Sequence, residues 1–262
     1  TPIEVVDMGL RGFTRKIGIL KDYNANFQCG QCHNAANRYL TYKWLKDDKP
    51  VRPEDLQKAG VSPYATEFFK DPLESWAWFK AKGWHQGVNG TTGVHYVNGS
   101  DHPHVEIMLQ SKHGQAGVTC TDCHFARKAD GKAEHQPSLV KLKVENTCMR
   151  SACHGPGSKS NWTDPGQALY TIEAIQQEYR IRVQKMEMAA KDAQRIFMKL
   201  KAGEASLPQE VKEKLETAYE KYLSARDWYL TDLSSGFHDP EGFNRTVSVV
   251  TWELRKTNAA AQ

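Results

Sequence analysis

Cys120-Thr121-Asp122-Cys123-His124 is the stretch on which the reading of this chain turns. Cys29-Gly30-Gln31-Cys32-His33 precedes it and Cys148-Met149-Arg150-Ser151-Ala152-Cys153-His154 follows it. In each, two cysteines are spaced to form thioether bonds to the vinyl groups of one haem, and the histidine after the second cysteine falls beneath the iron as a proximal ligand. All 6 cysteines of the chain are used in this way. A zinc site needs four ligands with paired spacings, whereas each pair here carries its own adjacent histidine. A thiol–disulfide enzyme would show one such pair beside a βαβ pattern, and a disulfide scaffold belongs to a much shorter chain. The motifs therefore predict three covalently attached haem c groups, held by Cys29 and Cys32, Cys120 and Cys123, and Cys148 and Cys153, with His33, His124 and His154 on the metals.

A chain of 262 residues allows one or two domains. Its 39% hydrophobic content is low for that length and suits a core partly supplied by porphyrin. No apolar run approaches the ~20 residues of a membrane span. Covalent haem attachment predicts a periplasmic or extracellular location. The chain begins Thr1-Pro2 with no cleavable leader and reads as a mature or processed product. The formal charge of +4 is offset by haem propionates and is no nucleic-acid footprint.

Residues 1–28 show no long period, and Arg11, Arg15, Lys16 and Lys21 read as a solvated basic arm. Asn34 to Leu45 reads as a short helix with Tyr39, Leu40 and Trp44 on one face. The aromatics between Tyr64 and Trp84 read as packing, with haem edges among their partners. Residues 86–101 read as a loop, and His102-Pro103-His104 leads into a helical run from Val105 to Lys112. Residues 126–147 are charged and irregular.

From Trp162 the chain changes character. Asp164 is a good N-cap and Pro165 suits the first helical position. Apolar residues from Leu169 to Leu200 then keep helical spacing until Gly203, a helix of up to ~38 residues and roughly 57 Å. A second helix opens at Pro208 and stops at Gly236, and a third spans Pro240 to Lys256. Helices of this length predict that part of their apolar face packs on a second subunit, a homodimer. The expected architecture is mainly α: a multihaem c-type cytochrome with haems replacing much of the core (1–161) and a C-terminal long-helix hairpin (162–262).

Of 10 histidines, 3 are proximal by motif. Low-spin electron-transfer haems take a second protein ligand, whereas catalytic haems keep one position open. His113, at a helix end seven residues before Cys120, and His238, just past a long helix, are placed to reach a haem face. His85 and His95 flank the loop and read as surface residues.

These pieces, in order, resemble the C-terminal part of the pentahaem cytochrome c nitrite reductases, which reduce nitrite to ammonia. The resemblance rests on Cys29–His33, His102-Pro103, Ser111-Lys112-His113-Gly114, Gly117–His124, His135, Cys148–His154, the long helix pair and Gly236-Phe237-His238-Asp239-Pro240. It implies that His113 is the distal ligand of the His154 haem and His238 that of the His124 haem. It also implies that the C-terminal helices form a dimer interface. No CxxCK motif for a catalytic haem is present. The family's calcium-binding Glu-Tyr pair is Ala35 and Ala36 here, and its Lys and Gln before the His-Pro are Gly99 and Asp101. No family-type calcium site is therefore expected, although His102 stands where the family has its substrate-pocket histidine. In the family the counterpart of His135 binds a haem this chain lacks, and the His33 haem takes its distal ligand from upstream sequence. A second haem-bearing subunit could supply both missing halves; internal rewiring through His135, His95 or His104 is the alternative.

The sequence thus predicts an electron-transfer protein with redox partner proteins. The alternatives are the haem-relay subunit of a split nitrite-reductase-like enzyme and a subunit of an extracellular haem filament.

Overall fold

The computed structural model describes residues 3–10, 13–20, 24–30, 33, 44–47, 49–59, 69–97, 102–125, 131–132 and 137–262. The chain opens with a β-hairpin, β1 (Ile3–Leu10) paired antiparallel with β2 (Phe13–Leu20), Leu10 opposite Phe13. The reading of a basic arm foresees no strands here. Ile3, Val5, Ile17 and Ile19 favour strands, and a two-residue connection containing Gly12 is a hairpin signal.

α1 (Asn26–Gly30) carries Cys29, where the first cysteine motif begins. β3 (Leu45–Lys46), β4 (Lys49–Pro50) and later β5 (Trp84–His85) form a small antiparallel sheet, so Leu45 is strand rather than helix end. The helix expected over residues 34–43 lies outside the described residues. α2 (Pro53–Lys58) and α3 (Pro72–Ala81) follow. Asp71 caps α3 by accepting from the Leu73 and Glu74 amides, both at 2.9 Å. The expected loop after α3 holds a short hairpin, β6 (Gly87–Val88) with β7 (His95–Tyr96).

α4 (His104–Gln110), α5 (Lys112–Gln115) and α6 (Cys120–His124) place the middle motif. A 3-10 helix over Pro137–Lys143 leads into the third. α7 (Pro165–Lys201), α8 (Gln209–Leu230) and α9 (Pro240–Ala260) complete the chain. α7 starts as its sequence dictates. Gln167 reaches back to the amides of Thr163 and Asp164 while Asp164 accepts from the Gly166 amide.

One hydrophobic core joins both parts of the chain. Trp44 stacks on Phe79 at 3.8 Å between ring centroids. These two and Trp84 belong to the same buried cluster as Tyr179, Met186, Leu215, Trp228, Val250 and Leu254. The aromatics of α3 are therefore protein core. α3 is fastened to α8 through Glu220, which is buried and accepts from Lys80 Nζ at 2.6 Å and Trp76 Nε1 at 3.2 Å.

α9 packs on both α7 and α8, and Asn258 Nδ2 donates to the Ala189 carbonyl at 2.8 Å. The apolar stripe Ile172, Tyr179, Met186, Ala190, Ala193 and Phe197 is thus covered within the chain. The large apolar residues left exposed on α7 are Tyr170, Ile181, Met188 and Met198, a different set from the one the periodicity singled out. None of the described helices is long and apolar enough to cross a membrane.

Candidate functional site

The three cysteine motifs sit against one another. Asn26, buried in α1, accepts from the Cys120 amide through Oδ1 at 2.8 Å and so ties the first motif to the second. Asp122 receives the Thr119 amide at 2.8 Å, which caps α6, and its other oxygen meets Arg150 Nη2 of the third motif at 3.3 Å. The four-residue spacer of that third motif closes as successive turns, with the His154 amide donating to the Cys148 carbonyl at 3.0 Å. Gly155 makes this possible: a Cβ there would lie 1.8 Å from the Met149 carbonyl oxygen.

Cys29, Cys120, Cys123, Cys148 and Cys153 are free, partly buried thiols, and Cys32 lies outside the described residues. Burial, with Cys29 close by, pushes Cys120 up to about 12, and burial beside Cys148 pushes Cys123 up to about 11.

The histidines are brought together in pairs. His113 and His154 have ring centroids 6.0 Å apart, and His124 and His238 have theirs 6.1 Å apart. An imidazole nitrogen about 2.0–2.1 Å from a metal puts its ring centre roughly 3 Å away, so two axial rings on one iron lie roughly 6 Å apart. Both spacings fit a metal held between the rings.

The other ring nitrogens agree. His154 Nδ1 is 2.9 Å from Ser160 Oγ, His238 Nδ1 is 3.1 Å from Asp232 Oδ1, and His33 Nδ1 is 3.1 Å from His104 Nδ1. A metal-bound imidazole engages its second nitrogen in this manner, which leaves Nε2 for the metal. Trp162 stacks on His154 at 4.5 Å. Partial burial, then the neighbouring imidazoles, lower the pKa of His33 and of His113, favouring the neutral form that ligates metals. This donor set suits covalently held haem.

Local structure aims these rings. Ser111 Oγ accepts from the Gly114 amide at 3.0 Å and starts α5, and Gly114 has no room for a Cβ, which would lie 2.0 Å from the Met108 carbonyl oxygen. That sharp break presents His113. The Val105 amide donates to the His33 carbonyl at 3.1 Å, which fixes His33 beside the start of α4. His33, His102 and His104 consequently form a cluster whose ligand atoms lie within 4.8 Å of one another. His102 Nδ1 is buried without a hydrogen-bond partner. His104 is held neutral, its pKa pushed down to about 4 by burial and then by the nearby His238.

His85, expected at the surface, is buried and stacks on exposed His95 at 4.6 Å, so neither approaches His33 as a ring partner in the described contacts. His135, Ala35, Ala36, Gly99 and Asp101 lie outside the described residues.

Sequence reasoning missed Asp232, which is 3% exposed. Its Oδ1 accepts from the Ser234 amide at 3.1 Å and from His238 Nδ1, and its Oδ2 from Ser234 Oγ at 2.7 Å and the Gly236 amide at 3.1 Å. Burial pushes its pKa upward, but the His238 and Ser234 hydrogen bonds outweigh that and hold it below the usual carboxylate range. Asp followed by Ser two residues on is an Asx-turn signature, a legible signal that the helix ends before Gly236.

The fold and this site define a multihaem c-type cytochrome. Residues 21–261 match the Cytochrome c552 family, and the chain belongs to it. It is 28% identical to cytochrome c-552 of Bacteroides thetaiotaomicron over 138 residues, 48% of this chain and 22% of that protein. It is 23% identical to the cytochrome c nitrite reductase subunit NrfA of Nitratidesulfovibrio vulgaris over 223 residues, 81% of this chain and 40% of that one. The solved structure of cytochrome c nitrite reductase from Desulfovibrio desulfuricans shares the fold, with a TM-score of 0.64 at 19% identity, over 90% of this chain and 47% of that one. The chain therefore spans less than half the length of these relatives.

Proposed function

We propose that this chain is an electron-transfer cytochrome with three covalently attached haem c groups. Cys29 and Cys32, Cys120 and Cys123, and Cys148 and Cys153 carry them. His33, His124 and His154 are the proximal ligands, with His113 distal to His154 and His238 distal to His124. The observation that supports this best is the pair of ring spacings, 6.0 and 6.1 Å, each joining a motif histidine to a histidine from a separate element. Bound haem supplies one-electron Fe(III)/Fe(II) chemistry. The protein's part is to hold the imidazoles, engage their Nδ1 atoms and keep the motifs in register through Asn26, Asp122 and Arg150.

The reading extends to an exported protein, periplasmic or extracellular, that exchanges electrons with partner proteins. It takes the exposed Tyr170, Met188 and Met198 of α7 as part of a homodimer contact and assigns no calcium ion, since Ala35 and Ala36 have no ligating side chains. A pyridine haemochrome assay should give three c-type haems per chain; fewer than three contradicts the reading.

A second reading makes the chain the haem-relay subunit of a split nitrite-reductase-like enzyme whose catalytic haem is on another chain. The buried, unpartnered Nδ1 of His102 beside His33 favours it. Co-purification with a second haem-bearing subunit, and nitrite or hydroxylamine reduction by the pair, is its expected outcome. A homo-oligomer with no such subunit contradicts it.

A further inference from the structure

Asp232 lies between two of the histidine groups and belongs to no motif. Its four hydrogen-bond partners are all donors, two on each oxygen. A donor-only environment of this kind suits a carboxylate, which can only accept, and not a carboxylic acid or an amide. Ser234 and Gly236 fix the carboxylate within its own loop, so its position does not depend on His238. His238 in turn is held by its Nδ1, with its ring 6.1 Å from that of His124.

On another side stands His104. Its Nε2 is 3.9 Å from Asp232 Oδ1, too long for a hydrogen bond, and 3.4 Å from the Leu233 amide. Its Nδ1 is 3.1 Å from Nδ1 of His33. At 3.9 Å Asp232 faces the His104 ring through space rather than through a hydrogen bond. The third site provides an internal contrast, because His154 Nδ1 meets the uncharged hydroxyl of Ser160.

We propose that Asp232 is a shared outer-shell carboxylate for two haem sites. It positions His238 through Nδ1 and, by way of His104, faces the Nδ1 side of His33, and its buried negative charge lowers both reduction potentials. The proposal rests on the haem reading above. Its physical basis is that a hydrogen bond to a carboxylate makes an axial imidazole a stronger donor, and that a nearby negative charge favours the ferric state. Asp232 is a positioning residue; it touches no iron.

The test is Asp232→Asn in the haem-loaded chain, read by pyridine haemochrome, potentiometric titration followed in the visible, and EPR of the oxidised protein. Three haems are expected to remain. The His124/His238 midpoint should rise by the equivalent of about a tenfold change in equilibrium constant, about 59 mV for one electron. The His33 midpoint should rise by less, and the His113/His154 midpoint should stay. His104→Gln, which spares the Asp232–His238 bond, should move only the His33 signal. Ser234→Ala leaves the charge and removes one donor to it, so it should move the His124/His238 midpoint the opposite way. Asp232→Asn with three haems and three unchanged midpoints, or with equal shifts at all three, overturns the proposal. If Asp232→Asn does not fold, no shift in Ser234→Ala overturns it. Fewer than three haems in the unaltered chain would instead overturn the haem reading itself.

Discussion

Lys80 and Glu220 should respond unequally to removal, and the seam they form joins the motif-bearing part of the chain to the helices that carry His238. The Glu220 side chain is 4% exposed and takes Lys80 Nζ at 2.6 and 2.8 Å on its two oxygens, while the Lys80 side chain is 47% exposed. Lys80→Met strands a buried carboxylate with Trp76 Nε1 as its remaining indole donor. Breaking a buried pair in this way costs ~3–5 kcal/mol. Because Lys80 is half in water, solvent reaches that edge of the carboxylate and the cost falls to about 2–3 kcal/mol. Glu220→Gln keeps an oxygen for Trp76 and lets Lys80 turn into solvent, so it loses about one net hydrogen bond, ~1 kcal/mol. At roughly 2–4 °C per kcal/mol for a chain of this size, Lys80→Met should lower Tm by roughly 4–12 °C, against roughly 2–4 °C for Glu220→Gln. Urea unfolding of the haem-loaded protein followed by far-ultraviolet circular dichroism measures both, provided the m-values agree. A Glu220→Gln cost equal to or above that of Lys80→Met would refute the reasoning that burial of the carboxylate sets the penalty.

Other outcomes follow from the same geometry. His113→Ala and His238→Ala should each turn one haem of three high-spin without loss of haem, and the double variant should turn two; unchanged low-spin EPR in either would exclude that residue as a ligand. Gly155→Ala forces a Cβ to within 1.8 Å of the Met149 carbonyl oxygen. It should therefore open the third motif and reduce the haemochrome count towards two, and a full count would show that the turn relaxes. Stability should also fall on acidification from pH ~6.5 towards 4. His104 folds with its pKa pushed down to about 4, so in that window the unfolded chain binds a proton that the folded one does not, worth at most about 3 kcal/mol. His104→Gln should flatten that slope in urea titrations across the window. Asp232 has its pKa lowered, so its contribution persists through that window. It is lost only as pH falls below the ordinary aspartate value of about 3.9 and through the folded pKa.

What could be read in advance was whatever a short motif or a long period encodes. The cysteine spacings located the three motifs, and Asp164-Pro165 and Gly203 bracket a helix observed over Pro165–Lys201. Side chains whose roles depend on distant partners could not be read this way. α3 was hidden because Trp76, Trp78 and Phe79 are apolar on several faces, which blurs a helical period, and its partners lie in α8 and β5. His85 looked like a loop histidine, but pairing of β5 with β3 buries it. The stripe on α7 was legible as apolar, yet no spacing rule says that α9 of the same chain covers it. Asp232 acquires its meaning only when the turn after α8 brings His238 back to it.

The central claim is that separate elements of this chain clamp each of two haem irons between a motif histidine and a distant one. A crystal structure of the haem-loaded protein with anomalous data at the iron edge tests it most directly. The account predicts three iron peaks, one between His113 and His154 and another between His124 and His238, with imidazole nitrogens about 2.0 Å from each. Fewer than three peaks, or a His154 iron whose second axial ligand is not His113 or a His124 iron whose second axial ligand is not His238, would contradict it.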